Sequence, residues 1–128
     1  MLIWLVLIPL IAAALIGLCK APARPTALLS ASLTLALGIW ALVSFDGCSS
    51  CWSRFEGMDL QLTLAPALSK VMLLLTILVT FATVLGTNPP QGGEASWYNS
   101  ALLISAGATG AFLSDNMISF FAFHELAL

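Results

Sequence analysis

The chain has 128 residues, of which 60% are hydrophobic and 8% charged, and its mean hydropathy is +1.04. A soluble domain carries about 25% charged residues, so this chain cannot cover a water-facing surface. A net charge of -2 without a basic run excludes nucleic acid as a partner. The composition is that of an all-α integral membrane protein.

The sequence contains four full apolar segments and a fifth that stops early. Met1 to Leu18 carries no charge and reads as the first transmembrane helix. A signal peptide is the alternative, but no positive charge precedes the segment and no small-x-small site follows it. Ile16-Gly-Leu-Cys19 is a poor lipoprotein acceptor, because Leu18 is large where a small residue is wanted. Lys20-Ala-Pro-Ala-Arg-Pro25 is a tight loop, and Pro25 to Phe45 is the second helix, with its proline at a tolerated first-turn position. Residues 46–65 form an outer loop. Val71 to Gly86 is short for a crossing, but starting it at Pro66 gives about the 20 residues a bilayer needs.

Thr87 to Glu94 holds four Pro or Gly residues and breaks the chain again. The fourth helix runs from Trp97, beside Tyr98 as an interfacial aromatic pair, to Leu113. After the polar turn Ser114-Asp115-Asn116, the fifth begins at Met117 and ends after twelve residues. The chain therefore reads as the front of a longer protein, cut inside a helix and not expected to be stable alone. Lys20 and Arg24 assign the first loop to the cytoplasmic side. The N-terminus and the 46–65 loop, with Asp46, Arg54, Glu56 and Asp59, then lie outside.

Glu125 is the residue that most calls for chemistry. In a helix starting after Asn116 it sits roughly 13 Å deep, near the middle of a hydrocarbon core about 30 Å thick. A carboxylate there is a functional-site hypothesis by default, weighed against one satisfied by a neighbouring helix for packing alone. His124 points about 100° away from it along the helix, so it either bonds on the next face or joins the same proton path. Lys70, one turn into the third helix, either snorkels to the outer headgroups or belongs to a proton path. Cys48-Ser-Ser-Cys51 is a possible disulfide or redox dithiol. A membrane thiol oxidoreductase would need a second cysteine pair, which Cys19 alone does not supply. Three cysteines and one histidine fall short of a four-ligand metal set, so neither a metal nor a cofactor is expected. Gly107, Gly110 and the alanines of Ser105 to Ala111 form a small-residue face on the fourth helix, suited to receive the fifth. Phe120, Phe121 and Phe123 read as lipid-facing or packing bulk.

The stretch from Gly107 to Leu128 resembles the fourth and fifth helices of the antiporter-like membrane subunits of respiratory complex I, the M-subunit family of bacterial NADH:quinone oxidoreductases in particular. It shares a Gly-containing fourth helix, a short polar turn and an aromatic-rich helix ending in Glu-Leu-x-Leu. Phe55-Glu-Gly-Met-Asp59 is similar to the Gly-x-Asp that precedes the family's third helix. Mrp-type cation/proton antiporters and membrane-bound hydrogenases share these helices. The Cys-Ser-Ser-Cys and Lys70 have no counterpart in the pattern.

The resemblance implies helices 1–3 in residues 1–94 and the start of an antiporter-type proton-translocating domain in 95–128. It matches Glu125 to a glutamate that pairs with a lysine on a later, broken helix. It implies a non-redox subunit of a proton-translocating oxidoreductase in the bacterial inner membrane. Its partners would be lipid, protons and other membrane subunits, and this chain would have no catalytic activity by itself.

Overall fold

Among its described residues the computed structural model has five helices and a hairpin. The helices are α1 (Ile3–Cys19), α2 (Ala23–Ser44), α3 (Ala67–Gly86), α4 (Glu94–Leu113) and α5 (Met117–Ala127). Between α2 and α3, β1 (Ser49–Phe55) pairs antiparallel with β2 (Met58–Thr63), with a register shift at Cys51–Ser53. The structure describes residues 2–20, 22–44, 49–55, 58–64, 67–90 and 92–128, and within 49–63 the side chain of Leu62 alone.

The helix ends follow local chemistry. Lys20 takes the left-handed conformation (φ 51°) and donates its N–H to the Leu15 carbonyl, closing α1 as C-terminal caps do. Pro25 lies in the first turn of α2, where a missing N–H costs nothing. The helix starts and stops agree with the apolar segments to within about three residues. The hairpin differs from the loop expected at 46–65. Met58, Leu60, Leu62 and Leu64 alternate with Asp59, Gln61 and Thr63, a period of two that marks a strand. Leu62 and Leu64 are buried at one end of the helices, and Leu62 bridges to Ser114. That end is called here the hairpin end; the other, with Lys20 and Glu94, is the loop end.

α2 and α3 are each long and apolar enough to cross a membrane, whereas α1 and α5 are shorter apolar helices. Leu29, Leu33, Ile39 and Val43 on α2 and Leu68, Val71, Leu75 and Val79 on α3 are exposed. Outward-facing hydrophobic residues in such number suit lipid rather than water. α4 matches α3 in length and occupies the centre, packing on α1, α2, α3 and α5. Its interior stripe Tyr98, Leu102, Ser105 and Thr109 is almost fully buried, and the intervals of four, three and four keep it on one face.

α5 meets α4 at two glycines. A Cβ on Gly107 would lie 2.6 Å from the Ala127 nitrogen and 2.8 Å from the Phe123 carbonyl, and one on Gly110 would overlap the Phe123 ring. Gly107→Val or Gly110→Val should therefore push α5 off α4 and cost about 1–3 kcal/mol, the usual range for overpacking. Gly86, at the end of α3, has open space around it; Gly86→Ala should be neutral or stabilising by up to about 1 kcal/mol. Thermal unfolding of the full-length protein in detergent separates the two classes.

Candidate functional site

α5 starts at Asn116, whose side-chain oxygen accepts the Ser119 N–H at 2.8 Å while its carbonyl accepts the Phe120 N–H at 3.0 Å. This N-cap supplies one of the partners that the first turn of a helix lacks. Ser119 and Phe123 are buried and Ala127 is half-buried, four residues apart on the face that meets α4. Glu125 is two residues from both Phe123 and Ala127, about 200° around the helix. It is exposed and points away from α4. The described helices thus orient the carboxylate without covering it.

Its depth follows from the helix registers. Gly110 opposite Phe123 and Gly107 opposite Ala127 put Glu125 level with Ala108 and Thr109. The contact between Thr80 and Ser105 hydroxyls, 3.0 Å, carries that level to Thr76 and Ile77, the middle of α3. Gly38, which faces Ile77, carries it to α2. Glu125 therefore stands level with the middle of α3 and about 7 Å from the middles of α2 and α4 toward the hairpin end.

His124 is also exposed, and its ring stacks on Phe120 one turn earlier, with centroids 5.9 Å apart and planes 26° apart. Stacking holds the imidazole on a different face from Glu125. Lys70 is half-buried in the first turn of α3, at the hairpin end. α3 meets α4 at Ser105, and α5 meets it at Gly107 and Gly110, about 140–200° around the helix. Lys70 and Glu125 are accordingly on opposite sides of α4, about 10 Å apart in height. The structure brings neither His124 nor Lys70 to Glu125.

Cys48 and the side chain of Cys51 lie outside the described residues; Cys19 is free and exposed at the loop end. Among the described residues no three His, Cys, Asp or Glu side chains converge as metal ligands would. Sequence reasoning missed two features. Ser30, Tyr98 and Thr109 are buried hydroxyls without a hydrogen-bond partner, signalled only by being polar within apolar runs. Lys20, Glu94, Ser96 and Asn99 line a polar cleft of about 680 Å³ at the loop end, formed by residues too distant in sequence to be linked beforehand.

No family model matches the sequence, and no curated protein does. Among solved structures the chain is similar to part of the membrane-bound sulfane sulfur reductase, an archaeal respiratory membrane complex. The superposition has a TM-score of 0.79 at 25% identity and covers 96% of this chain. The chain spans 21% of the length of the chain it matches. The likeness is thus to a portion of one chain of an archaeal respiratory membrane complex.

The Asn116 cap fixes where α5 begins and so the height of Glu125. Asn116→Ala should cost about 1 kcal/mol, and Asn116→Asp should keep most of it, because the carboxylate also accepts an N–H and suits a helix N-terminus. Chemical denaturation of the full-length protein, read by circular dichroism, checks both.

Proposed function

We propose that the chain is the N-terminal part of a proton-translocating, antiporter-like subunit of a membrane respiratory complex. The observation that carries this reading is Glu125: a carboxylate within the height of an apolar bundle, level with the middle of α3 and held on the face of α5 that no described helix covers. A charged group at the bilayer centre costs about 2.5–3.5 kcal/mol on insertion scales. That cost is offset when an opposite charge approaches, and the lysine of a broken helix is a recurrent way to supply one. Glu125 would hold or release a proton as that neighbour's charge moves toward or away from it. His124 is a secondary member and Lys70 a peripheral one. The subunit carries out no redox chemistry; coupling would come from electron transfer elsewhere in the complex.

In this reading α1 to α4 span the membrane, α5 is the first part of a fifth span, and residues 95–128 open the translocating domain. Trp4 is exposed at the hairpin end and Trp97 stands at the loop end, where interfacial aromatics concentrate, whereas Trp40 stands about 3 Å from the level of Gly38. The loop end, with Lys20 and Arg24, faces the cytoplasm of a bacterial inner membrane, and the hairpin faces outside.

The complex is of the NADH:quinone oxidoreductase type. A second reading, an Mrp-type antiporter or a membrane-bound complex of the hydrogenase kind, is favoured by the likeness to a sulfur-reducing archaeal complex. Purifying the native complex and testing it with quinone and with sulfane sulfur as electron acceptors separates them. Thiol oxidoreduction through Cys48 and Cys51 would instead require those residues for electron transfer.

In the assembled complex, Glu125→Gln should remove most proton translocation while leaving complex content unchanged, since Gln keeps the volume and cannot release a proton. Glu125→Asp should retain part of it. His124→Gln should lose less, and Lys70→Met least. A vesicle pH-gradient assay beside native gels reads these; normal pumping by an assembled Glu125→Gln complex would leave Glu125 as a packing residue. For orientation, an impermeant thiol reagent should reach reduced Cys48 and Cys51 in intact cells and Cys19 only after permeabilisation. The reverse pattern would invert the topology.

A further inference from the structure

We draw no further inference here: the strongest candidate, the polar cleft at the loop end between Lys20 on α1 and Glu94 and Asn99 on α4, rests on exposed charges at two helix ends, with no polar side chain in its lining buried and nothing in the structure to show what covers it.

Discussion

The seating of α5 on Gly107 and Gly110 is the contact on which the geometry of the site depends. In a bilayer no hydrophobic force drives helices together, since lipid tails are as apolar as side chains. Association must come from van der Waals contact at close range. Two glycines without Cβ atoms let the α5 backbone and the Phe123 ring come down onto α4, and any larger residue there meets either one. The same economy runs around α4. Ala101, Ser105, Ala106, Ala108 and Ala111 are small, and α4 is the one helix that packs on the other four. A bulkier α4 would hold its neighbours apart and lose the center.

From that contact the direction of Glu125 follows without further assumptions. Phe123 and Ala127 occupy the α4 face, so the residue between them must point outward. The result is a carboxylate within the height of the bundle that α1 to α4 leave uncovered. This is the arrangement expected of a group that must respond to a changing neighbour. A carboxylate sealed by its own bundle would be held by fixed partners, whereas one on an open face takes its energetics from whatever approaches it.

The helices were legible in the sequence because each is an apolar run interrupted by Pro, Gly or charge, and the interruptions are strong. The small-residue face was legible for a related reason, since Gly107 and Gly110 leave a gap that something must fill. The outward direction of Glu125 was not. Residue spacing shows which side chains share a face of α5, but only the fit of Phe123 over Gly110 shows which face is buried. The hairpin was missed although Met58, Leu60, Leu62 and Leu64 alternate cleanly, because the surrounding charges and cysteines read as a loop. The lack of proximity between Lys70 and Glu125 is also a tertiary fact. It follows from α3 and α5 taking opposite sides of α4, which no local pattern encodes.

The hairpin gives the site a second fixed point. Leu62 bridges to Ser114, at the turn where Asn116 then caps α5, so the start of α5 is tied to the hairpin while its middle is tied to the glycines. Turning α5 by one residue, about 100°, would move Phe123 off Gly110 and break the register at both anchors. Within this bundle the carboxylate cannot swing from one side to the other by rotating its helix. If Glu125 passes a proton along, the charge and the partner must move while α5 stays still, which makes α5 a fixed post against which a mobile element works.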